Sequence, residues 1–383
     1  MTPEPTLPER NRTARHPRYR YVVADLLTDR VLADLPLTGV TFDRRISRAG
    51  SLRGSMDVPD TETARTADQV ARWSGRLSLW VLREGEVWWG GVLWTTSPSR
   101  DSKGRSTMSV QAATFESYAD RRIIRDDITY DGWDQGTIIP DLWRRLQDRP
   151  EGDVGVVARN QQTGIHRDRH YLASDAASYE KRIEEIGDVI DGPEFTIDVG
   201  RDTQTGVFTR TLRLGQLKLG TGGVGLLVTG VRLPQWTHTN DATQGGTTFQ
   251  TRGDSRSGNA GAEKQPLLSH VFESTKLLDE GWPLLDVTED FSSVIHRDVL
   301  DNHARALRAK NSGQSVSVGY SAYIGDTGWE PNRVGEYVRI KYSKDDLWNP
   351  GGEELIRPVA VEVTPPSRGG QETVKLIIGE DES

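Results

Sequence analysis

The sequence predicts a mainly β protein with an α+β middle, in which two small, tube-like β-barrel domains flank a mixed α/β region. The 383 residues include 39 glycines and 18 prolines, a proportion typical of chains rich in turns. Eleven tryptophans against three methionines favour aromatic packing on pleated sheets. Short runs of alternating apolar residues, separated by turn residues, dominate both ends of the chain.

The length of the chain exceeds what one ordinary hydrophobic core supports, so several domains are expected. Changes in composition along the chain predict five segments. They are a flexible Pro-rich arm (1–18), a first β-barrel with a helical insertion (19–115), a central α+β region (116–235), a Gly/Ser/Thr-rich loop (236–265), and a second β-barrel with a helix and an acidic tail (266–383).

The first barrel segment consists of predicted strands interrupted by one helix. Asp60 is a suitable N-cap for a helix that runs to Trp73, and Gly75 follows where a left-handed residue often ends a helix. Three strands come next, and Glu84-Gly85 is the expected hairpin turn between the first two of them. The pattern predicts a meander of the size of a small barrel.

The central region predicts two amphipathic helices. One is "TIIPDLWRRLQDRP", stopped by Pro150, and the other is "DAASYEKRIEEIGDVI", with Asp175 as the expected cap. The apolar side of the second helix is expected to consist of Ala177, Ile183, Ile186 and Ile190. Short strands follow, and in the loop at 236–265 only "TTFQTRG" has the pattern of a strand.

The two ends of the chain share an order of elements. Each has a helix, a Ser-Gly pair, a strand, the pattern Thr-x-Pro-Ser-Arg (96–100 and 364–368) and a last strand. In both, proline is expected to break the strand ladder before a polar turn. The pentapeptide match alone could be coincidence, but the shared order favours two related barrels. Three such chains would present six barrels, converting threefold into approximate sixfold symmetry.

Three stretches carry a resemblance to a known family. They are "DRVLADLPLTGVTFDRRISRAGSLRGSMDVP" (29–59), "GWPLLDV" (281–287) and "VLDNHARALRAKNSG" (299–313). On these features the chain resembles the tail hub (minor tail, baseplate hub-like) proteins of long-tailed phages that infect actinobacteria. These are relatives of the baseplate hub of contractile phages.

The resemblance implies a homotrimeric ring at the tail tip of the virion, assembled after synthesis in the host cytoplasm. The ring would cap the distal tail tube, contact a distal tail or tail tube protein, and let tape-measure protein and DNA pass during ejection. Receptor-binding or tail fibre proteins would attach outside. The family's contribution is assembly, so the resemblance implies no enzyme activity, no catalytic residue, no cofactor and no metal.

Composition limits the other functions. The net charge of −8 argues against specific DNA binding, which needs clustered cations, while allowing DNA in transit past an acidic wall. The absence of cysteine excludes disulfides, a thiol nucleophile and a Cys-type metal site. No apolar run approaches the roughly 18 residues of a membrane span, and the polar N-terminus lacks the pattern of a secretory signal.

Several motifs have a chemical interpretation that we weigh against a structural one. His166 and His170 would share a helix face as metal ligands, but the segment is not convincingly helical and no third ligand is near. "GTGGVG" (220–225) is not followed by a helix, so a turn is favoured over a phosphate-binding loop. "RGD" (252–254) is expected in the exposed loop without an adhesion role.

Two alternative functions remain. A peripheral minor tail protein that binds host-surface glycan would need an exposed aromatic platform, for which the candidates are Trp80, Trp88, Trp89 and Trp94. Trp88 and Trp89 should point to opposite faces of a strand, one toward the core and one toward an interface. A cell-wall hydrolase would need two converging carboxyl groups. The candidate pairs are Asp126-Asp127, Glu184-Glu185 (expected on the polar side of a helix) and Glu289-Asp290.

Overall fold

The computed structural model describes residues 17–220, 235–256, 265–292, 294–323, 330–342, 352–367 and 370–378. Strand residues make up 44% and helical residues 23%, which confirms the predicted mainly β class. The first 16 residues of the predicted Pro-rich arm (1–18) and the acidic tail from residue 379 lie outside the described residues.

The strands of the first half are β1 (Tyr19–Asp25), β2 (Val31–Asp34), β3 (Thr38–Arg45), β4 (Ser51–Asp57), β5 (Leu77–Arg83), β6 (Glu86–Arg100), β7 (Ser106–Thr114), β8 (Ile128–Asp134), β9 (Val156–Ala158), β10 (His166–Tyr171), β11 (Phe195–Arg201) and β12 (Phe208–Leu214). Those of the second half are β13 (Gln235–Asp241), β14 (Thr248–Arg256), β15 (Gln265–Leu268), β16 (Phe272–Glu273), β17 (Asp286–Asp290), β18 (Ser315–Tyr323), β19 (Val338–Tyr342), β20 (Gly352–Ile356), β21 (Pro358–Thr364) and β22 (Thr373–Ile378). The α-helices are α1 (Thr61–Arg72), α2 (Gln135–Leu146), α3 (Tyr179–Gly187), α4 (Thr275–Asp279) and α5 (Arg297–Asn311). Short 3₁₀ turns occupy Phe115–Arg121, Pro150–Gly152, Ala173–Asp175 and Pro331–Arg333.

One large sheet joins the two ends of the chain. Its eleven strands follow the order β13-β18-β22-β21-β3-β4-β7-β6-β5-β1-β2. The join is the antiparallel pair β3–β21, in which Ala360 lies opposite Arg45 and Val363 opposite Phe42. Within the described residues the pairing does not return from β13 to β2, so neither predicted barrel closes within one chain.

The two ends also share one hydrophobic core. Its buried side chains include Val23, Leu79 and Trp89 from the first segment and Val361 and Leu376 from the last. The hairpin β19–β20 contributes to the same cluster. The predicted segments at 19–115 and 266–383 are therefore packed together. Their strands reach a common core because β3 and β21 are neighbours.

A second core lies between the other face of the N-terminal sheet and the central α+β region. It joins Trp80 of β5 to side chains of α2, α3, β11 and β12. The indole of Trp80 stacks on Phe208 at 4.1 Å between ring centroids, with an interplanar angle of 8°. The central region thus covers the sheet on the side away from the shared core.

The repeated order of elements is reproduced in part. Helices α1 and α5 are each followed by a glycine with positive φ, Gly75 (84°) and Gly313 (73°), and then at once by a strand. Each of these strands pairs antiparallel with an earlier one, β5 with β1 and β18 with β13. The next step differs, because β5 pairs with β6 whereas β18 pairs with β22.

The two Thr-x-Pro-Ser-Arg stretches have different structures. In the first, Pro98 pairs with Met108 inside the long strand β6, so the prediction that proline breaks both ladders is wrong there. The pairs of β6 with β5 end at Val92, so Pro98 has a strand neighbour on one side only. Proline, which lacks an N–H donor, is tolerated at such an edge. The second stretch begins at Thr364, the last residue of β21, as predicted for a turn.

Most predicted helix ends and turns are confirmed. The Asp60 carboxylate accepts a hydrogen bond from the Thr63 N–H (2.8 Å) and caps α1. Glu84 and Gly85 both have positive φ and connect β5 to β6. Asp175 is not the cap of α3, because that helix begins later and Ser178 caps it instead.

The region at 236–265 is not mainly a loop. It contains β13 and β14, and β14 pairs with β15, β16 and β17 in a separate sheet. The buried Phe249 and Thr251 anchor β14. These strands lack an apolar pattern because polar residues of several types, rather than apolar residues, occupy most of their positions. The RGD stretch at 252–254 accordingly lies in β14, with Arg252 paired to Asp290.

Candidate assembly surfaces

The tryptophan cluster belongs to the interior. Trp80, Trp88 and Trp89 are all buried. Trp88 and Trp89 both join the shared core, so the prediction that they face opposite sides is wrong. The reason is a β-bulge: Val81 pairs with Trp89 and Leu82 with Val87, which leaves Trp88 as an extra residue.

A second bulge occurs at Trp94, which is half-buried and whose Nε1–H donates to Ser117 Oγ (2.9 Å). The cluster therefore offers neither an exposed sugar-stacking platform nor a tryptophan interface on the free chain. Trp133, which the sequence analysis did not single out, is the large aromatic side chain exposed on the described part of the chain (43%).

At least one member of each candidate carboxylate pair makes a structural contact, and Asp290 binds Arg252. The Asp127 carboxylate accepts from the Ala173 N–H (2.8 Å). The prediction for Glu185 is wrong, since it is buried and binds the Arg182 guanidinium at 2.8 Å. Its helix neighbour Glu184 pairs with Arg48 instead, so the two carboxylates diverge.

His166 and His170 lie on the strand β10, where both are exposed. Nδ1 of His170 is 2.7 Å from Thr129 Oγ1. Within the described residues, no group of three or more His, Cys, Asp or Glu side chains is arranged to hold a metal ion. The glycine run at 220–225 lies outside the described residues except for Gly220.

Within the described residues, the two unpaired edges of the large sheet are the clearest surfaces for association. At one end is the four-residue strand β2, with Val31 57% exposed and Leu27 exposed beside it. At the other end is β13, where Thr237 and Thr239 are exposed. An edge strand presents unpaired N–H and C=O groups that can pair with another chain.

The β1–β2 turn beside one edge is fixed in position. Asp29 has a positive φ of 55°, and its carboxylate binds the buried guanidinium of Arg210 on β12 at 2.5 Å. The Arg210 guanidinium in turn lies 4.9 Å from the centroid of the Trp80 ring. This edge is therefore supported by the second core rather than left on a free loop.

Ion pairs connect the two ends of the chain to each other and to the central region. Arg83 of β5 binds Glu372 through two hydrogen bonds of 2.6 and 2.7 Å. The same carboxylate accepts from the Tyr19 hydroxyl. Arg357, buried before β21, pairs with Glu194 of the central region. These pairs favour one rigid arrangement of the sheet.

A charged junction connects the loop after β3 to α3 and α5. Arg48 binds Glu184 at 3.0 Å and Asp188 at 3.1 Å. The Lys310 ammonium of α5 lies 3.6 Å from the second carboxylate oxygen of Asp188. Burial, with the nearby charge of Glu184 and Asp120, raises the pKa of Glu180 to about 7.

Glu180 makes stability depend on pH. Its ordinary pKa is near 4.5, so in the folded state it binds a proton more tightly, and this stabilisation is lost as pH rises through about 7. We expect Glu180→Gln to flatten the decline of the melting temperature between pH 5 and 8. Thermal melts across this range test it, with the exposed α1 variant Glu62→Gln as the control that keeps the wild-type slope. An unchanged slope in Glu180→Gln would contradict this.

No helix in the described part of the chain combines the length and apolar character needed to cross a bilayer. No protein-family model matches the chain, and a comparison with curated proteins gives no match.

Two solved structures of tail proteins share the fold. The tail protein from Neisseria meningitidis MC58 has a TM-score of 0.54 at 12% identity, covering 95% of this chain and 96% of that chain. The 43 kDa tail protein of prophage MuSo2 from Shewanella oneidensis has a TM-score of 0.57 at 12% identity, covering 94% and 98%. The chain therefore has the fold of these two tail proteins along almost its whole length.

Proposed function

We propose that this protein is a structural component of a phage tail tip that works as a hub: a homotrimeric ring that caps the distal tail tube. In this role it adapts the sixfold tube to a threefold tip and lets tape-measure protein and DNA pass. The likeness to two tail proteins over almost the whole chain supports a tail role.

The observation that carries the ring is the open sheet. The sheet contains two partly similar units, which are joined by the pairing of β3 with β21. Each unit has a helix, a glycine with positive φ and an antiparallel strand pair. Edge β2 belongs to one unit and edge β13 to the other. If β2 of one chain pairs with β13 of the next, the contact is heterologous, and a rotation of about 120° between neighbouring chains would close it into a ring of three. The tube-like barrel would then be completed between chains.

The surface chemistry is compatible with this arrangement. The edge β2 is short, and the exposed Val31 and Leu27 would be covered by a neighbouring chain. The net charge of −8 suits a channel that DNA crosses without being held. Distal tail or tube proteins, tape-measure protein and receptor-binding or fibre proteins are the partners that this role requires.

The edges provide the test. We expect the wild-type chain to form trimers at micromolar concentration, by light scattering and negative-stain imaging. Val31→Lys and Thr237→Lys should each shift it to monomer, since an inserted charge opposes strand pairing at an edge. Val271→Lys is the matched control, because Val271 is 54% exposed and lies outside the strands of the large sheet. A monomer that forms no ring even on isolated tail tubes, or a trimer indifferent to both edge variants, would refute the arrangement.

A further inference from the structure

A cleft of 530 Å³ lies between α5 and the charged junction formed by the loop after β3 and the end of α3. Its walls include Asp188, Val287, Glu289, Phe291, His303 and Lys310. The strand β17 in its wall belongs to the separate sheet built on β14 and not to the large sheet.

The cleft follows the open edge of β17. Side chains of consecutive strand residues point to opposite faces of a sheet. Because Val287, Thr288 and Glu289 all line the cleft, the cleft lies along the edge of β17 and not over one face of the sheet. Among the described strands β17 pairs only with β14. The Leu285 carbonyl and the Phe291 N–H bond toward β14. Successive residues of a strand direct their backbone N–H and C=O groups to alternate sides. Because the backbone groups of Leu285 and Phe291 face β14, those of Thr288 face away from β14, toward the cleft.

One wall of the cleft is apolar and uncharged. The His303 ring stacks on Phe291 with 3.9 Å between centroids, and only 2% of His303 is exposed. Burial, together with the positive charge of Arg169, lowers the pKa of His303 to about 3, so the imidazole is neutral. Leu307 of α5 extends this wall.

Negative charge remains on the edge itself. Burial and the nearby Asp188 raise the pKa of Glu289 above its ordinary range. Arg48 and Lys310 bind Asp188 and also oppose the pKa shift of Glu289, but no Lys or Arg in the described part of the chain forms an ion pair with Glu289. A cation entering the cleft would relieve this repulsion.

We propose that the cleft binds an extended, basic peptide segment of another protein, which adds to β17 as a further strand. Main-chain hydrogen bonds to the open edge supply affinity, and alternate side chains supply specificity. Glu289 and Phe291 are two residues apart and share a face, so the segment places a Lys or Arg beside Glu289. The next residue on the same face, an apolar one, packs against Phe291 and Leu307.

The probe is a fluorescein-labelled peptide with the repeat Thr-Lys-Thr-Val, followed by fluorescence anisotropy at low salt. We expect saturable binding to the wild-type chain and about tenfold weaker binding to Glu289→Lys, the loss of one charge-assisted contact. The matched control is Glu273→Lys, an exposed carboxylate on β16 of the same sheet, which should bind as wild type does. A Thr-Glu-Thr-Val peptide should bind more weakly than the lysine peptide.

The backbone is tested with N-methylated peptides. In an extended peptide, every second backbone N–H points to the same edge, so methylating alternate amides removes the donors of one edge only. Methylation of the amides that face β17 should abolish binding, and methylation of the other set should retain it. Equal binding by both registers, equal losses in the Glu289 and Glu273 variants, or no binding at millimolar peptide would overturn the proposal. The result does not depend on trimer formation, so it can fail while the proposed hub stands.

Discussion

Replacing Trp80 with alanine is expected to lower the free energy of unfolding by about 3–5 kcal/mol. Trp80 is fully buried, stacks on Phe208 of β12 and donates from Nε1 to Ser78 Oγ (2.9 Å). The substitution would leave a cavity between the large sheet and the central region. It would also remove the aromatic face on which the Arg210 guanidinium lies.

Urea unfolding followed by circular dichroism measures this loss. Trp133→Ala is the matched control, since Trp133 is substantially exposed on β8 and its removal should cost much less. Similar losses in the two variants would mean that the second core does not depend on Trp80.

Replacing Arg182 with alanine is expected to cost a similar amount, about 3–5 kcal/mol, by a different mechanism. The buried guanidinium binds Glu185 at 2.8 Å and Asp175 at 2.6 Å. Removing it leaves a buried carboxylate without its partner. The cost should fall when Glu185 is also replaced by glutamine, because the uncompensated charge is then gone.

A double-mutant cycle of Arg182→Ala and Glu185→Gln, measured by urea unfolding, isolates this effect. Arg72→Ala is the control, because Arg72 forms an exposed pair with Asp68 at 2.9 Å, and such pairs contribute little. Additive losses in the cycle would argue against a buried ion pair as the source of stability.

Local features of the fold could be predicted from the sequence. A cap such as Asp60 and a turn such as Glu84-Gly85 depend on residues close together in the chain. The predicted apolar face of α3 is confirmed at Ile183 and Ile186 only, because the helix spans Tyr179–Gly187; Ala177 and Ile190 lie outside it, and Ile190 is 45% exposed. The bulges at Trp88 and Trp94 could not, because they arise from the register of a strand against its neighbours. The same holds for β13, whose polar sequence has no apolar pattern and which forms a strand by pairing with β18.

The candidate association surfaces could not be predicted from the sequence. An open edge is a property of the strand order, and nothing local to β2 or β17 distinguishes an edge from a central strand. The sequence predicts a tryptophan interface, whereas Trp80, Trp88 and Trp89 are all buried in the core. The size and apolar character of a tryptophan do not show whether it lies in the core or at an interface.

The pairing of β3 with β21 has a consequence for synthesis on the ribosome. Phe42 and Val363, which lie opposite each other in this pair, are 321 positions apart in the chain. At typical elongation rates the C-terminal partner emerges on the order of 15 to 60 s after the N-terminal strands. During that delay β3 is an unprotected template for mispairing, and slow translation of the last third of the gene should increase aggregation.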